Sequence, residues 1–150
     1  MKEIENNVFF SYVEKEIADG KSVSLRVKGK SMTPMLHEGD IITLIPVNQH
    51  KLKIGDVVLF TYKNNFLLHR IICKKKNKLT LQGDAVYQHT EKISTQEVIA
   101  LLQQVKKQNG KTIDCQSIYR KIYFYLWFVV KTIKYRLLLI IKNKRNEPKR

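Results

Sequence analysis

Apolar residues follow two rhythms along this chain, and the change between them divides it. At the front, Val8, Phe9, Tyr12, Val13 and Ile17 recur at helical spacing with Glu14, Lys15 and Glu16 between them. That pattern predicts a helix over residues 3–19, stopped by Gly20. From Ser22 to Lys28 the period becomes two, with Val23, Leu25 and Val27 on one side, as in a half-buried strand. Further strands are predicted over 41–46, closed by Pro46, over 57–62, entered through Ile54-Gly-Asp56, and over 66–73, with His69 at its centre. Lys63-Asn-Asn65 and the lysine-rich stretch 74–78 read as turns, and Leu79-Thr-Leu81 leads to Gly83-Asp84. Residues 97–105 read as a strand, although their Ala-Leu-Leu-Gln-Gln core also suits a helix, and 111–114 as a short return strand. About seven short strands with no βαβ alternation predict a mainly β fold of twisted antiparallel sheet.

Residues 116–142 change the picture. The apolar positions there are dense and helical, interrupted by Arg120, Lys121, Lys131, Lys134, Arg136 and Lys142. The longest uncharged run, Ile122–Val130, is about half of the ~20 residues a membrane span needs. On a helical wheel the six cations occupy roughly 200°. The remaining face is aromatic and aliphatic and is assigned Trp127. This predicts a helix lying on an anionic membrane surface, with Lys121, Trp127, Lys131, Lys134 and Arg136 at the contact. Packing on the body or on a second copy is the alternative. The expected organisation is a β domain with its helix over 1–115, a basic amphipathic helix over 116–142 and a disordered basic tail over 143–150.

Composition sharpens this reading. The 150 residues suit one domain with a real core, and 43% hydrophobic against 27% charged residues is a folded composition. Net charge is +15, concentrated at the end, where residues 116–150 carry 10 basic residues and 1 acidic one. Such a field attracts phosphates of lipid or nucleic acid. A single front helix is too little for a helix-turn-helix, so nucleic acid is disfavoured as a partner. Cys73 and Cys115 match no metal spacing and read as reduced thiols; no metal or cofactor is expected. The N-terminus is not followed by an apolar run of signal-peptide length.

One loop carries candidate chemistry. In Lys28-Gly-Lys-Ser-Met-Thr-Pro-Met-Leu-His-Glu-Gly-Asp40, Ser31 sits between two predicted strands. Gly29 permits close backbone approach or a positive φ, and Pro34 stiffens the turn. A serine hydroxyl needs a base to become a nucleophile. Of four histidines, only His69 lies within a strongly apolar strand, where a polar side chain requires a reason. Asp84, at the following turn, could orient it.

The series Gly29-Lys-Ser31-Met32-Thr-Pro34-Met-Leu36, Gly39-Asp40, Ile54-Gly-Asp-Val-Val58, His69-Arg70-Ile71 and Gly83-Asp84 resembles the type I signal peptidase family and its wider S24/S26 clan, over about residues 22–106. The resemblance implies coiled antiparallel β-sheets of the signal peptidase/LexA-like type. It implies Ser31 as nucleophile and His69 as base, similar to the histidine type of the endoplasmic reticulum and archaea rather than the lysine type. It also implies a serine endopeptidase that removes a leader or signal segment from a peptide or preprotein. Gly29 stands where bacterial members often carry a hydroxyl, which leaves backbone N–H groups, that of Ser31 first, for the oxyanion, with Met32 and Pro34 supporting the loop. The second aspartate of the histidine type is missing, so the orienting acid is Asp84 first, Glu91 second, or none. Family members usually have an N-terminal anchor, and none is expected here. The expectation is therefore a cytoplasmic enzyme peripheral to the inner membrane face. A self-cleaving repressor of the clan would need an upstream DNA-binding domain and a cleavable pair, and residues 1–21 hold neither. An inactive β-domain that binds membrane or nucleic acid is the other reading.

Overall fold

The computed structural model describes residues 6–63 and 65–145. In chain order the elements are α1 (Asn6–Ala18), β1 (Val23–Arg26), β2 (Ile41–Pro46), β3 (Val57–Tyr62), β4 (Asn65–Lys75), β5 (Lys78–Gln82), β6 (Glu91–Ser94), β7 (Val98–Lys106), β8 (Thr112–Asp114) and α2 (Ile118–Arg145). The strands form one antiparallel sheet in the order β1-β2-β7-β3-β4-β5-β6, with β8 also on β7. Along β7, residues 98–101 pair with β3 and residues 104–106 with β8, while β2 pairs along its other edge.

Four consecutive apolar residues in β3 explain why the sheet has a core on each face. Val57 and Leu59 point into one cluster, Val58 and Phe60 into the other, as the period of two requires. The first cluster gathers Met32, Leu36, Ile42, Leu44, Leu102 and Val105 under α1. Val13 and Ile17, one helical turn apart, supply the buried face of α1, and Phe10 stacks on Phe66 at 4.0 Å between ring centres. The second cluster lies between β3, β4, β5 and β6, around Phe60, Ile71, Leu79, Leu81 and Ile93. Burying a side chain of this size contributes about 1.5–3 kcal/mol, so both clusters matter to a single domain.

The mainly β architecture and the predicted strands are present, with ends shifted by a few residues. Residues 98–106 are strand, so the helical alternative there is not adopted. Strand β6 is an addition. Its segment Glu91-Lys-Ile-Ser94 has one apolar residue, Ile93, too little for an alternating pattern to register.

Helix α2 exists but lies differently from expectation. It runs to Arg145, past the predicted end at 142; residues 146–150 of the expected tail lie outside the described residues. Among the described residues, no helix is long and apolar enough to cross a membrane. Lys131, assigned from sequence to a membrane contact, is buried against the body at 7% exposure. Trp127 turns inward beside it, with the Lys131 ammonium 5.2 Å from its ring centre. Lys134 and Arg136 are exposed, and the side chain of Lys121 lies outside the described residues.

Candidate active site

The Ser31 loop is held at both feet. Val27 N–H donates to the Asp40 carbonyl at 2.8 Å and Gly39 N–H to the Val27 carbonyl at 3.0 Å. Within it, Met32 and Leu36 are plugs into the first core, one turn apart and joined by a Leu36 N–H to Met32 carbonyl bond of 2.9 Å. Gly29 has φ +85°, a conformation that opens the loop and that side chains disfavour. The Thr33–Pro34 peptide is cis. With its neighbour Met32 anchored, Ser31 is left exposed. Among the described residues its N–H donates to no backbone carbonyl, so that donor is available to an oxyanion.

Asp40 fastens the far end. Its carboxylate is buried and accepts from Lys107 Nζ at 2.7 Å and His37 N–H at 2.9 Å. Burial pushes its pKa up, but the Lys107 bond and charge and the His37 N–H outweigh that and hold it below the usual carboxylate value. Lys107 also donates to the Met35 carbonyl, tying β7 to the nucleophile loop.

His69 lies mid-β4 on the face of the second core, its ring 6.1 Å from that of Phe60. Its Nδ1 lies 2.9 Å from Glu91 Oε2. A carboxylate only accepts, so Nδ1 is the donor of this bond, and in the neutral ring that leaves the lone pair on Nε2. Nε2 faces Gly83. A Cβ on that glycine would stand 3.1 Å from Nε2 and 2.7 Å from the Ser31 carbonyl oxygen, so only a glycine lets these groups approach. Ala85 N–H then donates to the same Ser31 carbonyl at 2.8 Å. The Ser31 loop and the imidazole thus meet at residues 83–85. The Ser31 hydroxyl itself makes no hydrogen bond among the described residues.

Asp84 does not meet the imidazole. Alternation along β4 sends Arg70 to the opposite face from His69, and Asp84 follows it there. The two form a buried bidentate pair, Nε to Oδ1 at 2.8 Å and Nη2 to Oδ2 at 2.6 Å. Arg70 also donates to the Gly55 carbonyl at 2.8 Å and contacts Met35 Sδ. Asp84, first in line as orienting acid, is therefore committed to a clamp that ties β4, the Gly55 turn and the Ser31 loop together. Glu91, second in line, is the carboxylate that meets the imidazole. The relevant signal in the sequence was its position eight residues after Gly83, which does not rank it without the β5–β6 pairing of Leu81 with Glu91.

Helix α2 completes the surroundings. Phe124 lies under the Arg70 guanidinium at 4.4 Å. Lys131 donates to the carbonyls of Gly83 at 3.2 Å and Val86 at 2.5 Å and to Gln82 Oε1 at 3.3 Å. Burial lowers its pKa, partly opposed by the Asp84 charge and reinforced by Arg70. Tyr135 stacks on Tyr87 and accepts from Gln88 Nε2 at 3.2 Å. Between helix and sheet lies a cavity of about 120 Å³, lined by Met35, Arg70, Val105, Tyr123, Phe124 and Trp127 among others. Among the described residues, no three His, Cys, Asp or Glu side chains group as a metal site would need.

An antiparallel sheet thus places an exposed loop serine and a carboxylate-bound histidine on either side of Gly83. The peptidase S24-like family model matches residues 2–111, and the chain belongs to that family. The match ends before α2, so the helix that braces residues 82–88 is outside the shared module. No curated protein matches the chain.

Proposed function

We propose that this protein is a serine endopeptidase of signal-peptidase type, which removes a leader or signal segment from a peptide substrate. The observation that carries the reading is the Glu91–His69 pair, with His69 Nε2 aimed across Gly83 at the backbone of Ser31. In the reaction, Ser31 Oγ attacks the scissile carbonyl carbon as its proton passes to His69 Nε2. Glu91 holds the Nδ1 proton and balances the imidazolium. The Ser31 N–H faces the oxyanion. The tetrahedral intermediate collapses, the C–N bond breaks and the amine leaves with the proton from Nε2. Water, deprotonated by the same nitrogen, then hydrolyses the acyl-serine ester and restores the hydroxyl. Within that type the reading takes His69 rather than a lysine as base, since the buried Lys131 is engaged with three oxygens of residues 82–86.

The test is labelling by a fluorophosphonate, followed by mass spectrometry of leader-bearing peptides incubated with the protein. Wild type should label and cleave, with Ser31→Ala and His69→Ala reduced by on the order of 10³-fold or more. Equal labelling of wild type and Ser31→Ala would overturn the reading. Cleavage confined to the chain itself would replace it with self-processing, which the S24 family also contains.

A further inference from the structure

We infer that the outward face of α2 is a docking surface for an anionic lipid bilayer. The helix is two-sided in space. Phe124, Trp127, Lys131 and Tyr135 turn to the body. On the other side Tyr119, Ile122, Leu126, Val129, Ile133 and Leu137 are 80%, 52%, 64%, 55%, 52% and 54% exposed. At ~100° per residue these six fall within roughly 80° of one another, a straight stripe about 27 Å long. Monomeric proteins rarely leave so continuous an apolar surface without a partner.

Charge decides which partner. The exposed cations Lys134 and Arg136 project from opposite flanks of the stripe, where long basic side chains can reach lipid phosphates while the stripe enters the acyl boundary. The sequence holds no Asp or Glu between Asp114 and Glu147. Two copies meeting stripe to stripe would therefore crowd like charges with no acid to answer them. From Leu137 to Ile141 the helix is exposed on every side and wholly apolar, so its end stands clear of the body. A protein groove would cover one face of that end; a bilayer surface can take up all of it. The helix lies in the interface and does not span it, in keeping with its basic interruptions.

The proposal does not depend on catalysis, and its test is flotation with vesicles of phosphatidylcholine alone or mixed with phosphatidylglycerol. Wild type and Ser31→Ala should bind the mixed vesicles equally, and binding should fall with added salt. Leu126→Asp with Ile133→Asp, both at exposed positions, should weaken binding by on the order of 100-fold or more with an unchanged circular dichroism spectrum. Lys134→Glu with Arg136→Glu should weaken binding to the mixed vesicles and leave that to phosphatidylcholine alone unchanged. Absence of wild-type binding, or equal binding by both double variants, would overturn it. So would a lipid-free dimer in sedimentation that the apolar variant splits.

Discussion

Two carboxylates near one histidine have opposite duties, and their environments separate them. Glu91 bonds Nδ1 of His69; Asp84 bonds Arg70 with both oxygens. Glu91→Gln should thus reduce kcat by on the order of 10³–10⁴-fold, with little change in KM or in melting temperature, because an amide can present its NH₂ to the ring and favour the wrong tautomer. Asp84→Asn should act on stability instead. It leaves a buried guanidinium without its counter-charge, a loss of roughly 3–5 kcal/mol. Steady-state kinetics and thermal melts of the two variants would distinguish these outcomes; equal kcat for Glu91→Gln and wild type would remove Glu91 from the site. Ser31 and His69 stood out as candidates in the sequence as a hydroxyl in a glycine- and proline-shaped loop and an imidazole in an apolar strand, and the family resemblance gave them their weight. Glu91 broke no pattern. A glutamate among Lys92 and Thr90 looks like any solvated residue until β6 pairs with β5 and carries it over His69.

At the scale of elements, the helix was legible and its orientation was not. The helical wheel groups Lys131 with the cations expected at a membrane surface, but it is buried where Gly83, Val86 and Gln82 offer three oxygens. Periodicity cannot distinguish a cation in water from one answered by carbonyls on another element. Under the proposed function this matters, since Gly83 lies between the Ser31 carbonyl and His69 Nε2, where a Cβ would meet both. Lys131→Met should loosen the 82–86 segment and misplace the imidazole relative to the nucleophile. A displacement near 1 Å costs up to about 100-fold, so kcat should fall by about tenfold or more while KM changes little. Lys131→Arg, which retains donors and charge, should recover part of that loss. A fall in melting temperature with kcat intact would instead make the helix a purely structural brace. Strand β6 illustrates the reverse case, an element invisible in its own four residues and created by its neighbour. Its backbone completes β5, and Ile93 fills the second core.

For the whole molecule, the sheet was legible because its strands other than β6 carry their own alternation or apolar run, whereas the strand order depends on contacts far apart in sequence. The tie between Asp40 and Lys107 is one such contact, joining the loop after Ser31 to the strand end 67 residues later. Its pH dependence has a definite sign. The folded Asp40 carboxyl lies below the ordinary carboxylate value, while in the unfolded chain it titrates near ~3.9. Folding therefore gains from this ion pair above that range, and the gain disappears as pH falls through the folded value. Lys107 stays cationic throughout, and protonation of the other carboxylates adds to a net charge already at +15, so repulsion acts in the same direction. Urea midpoints should accordingly fall between about pH 5 and pH 2. Asp40→Asn resembles the protonated acid, so it should be less stable than wild type at pH 7 and converge with it in acid. Curves that stay parallel to pH ~2 would show that Asp40 is not the group that couples the loop to the sheet.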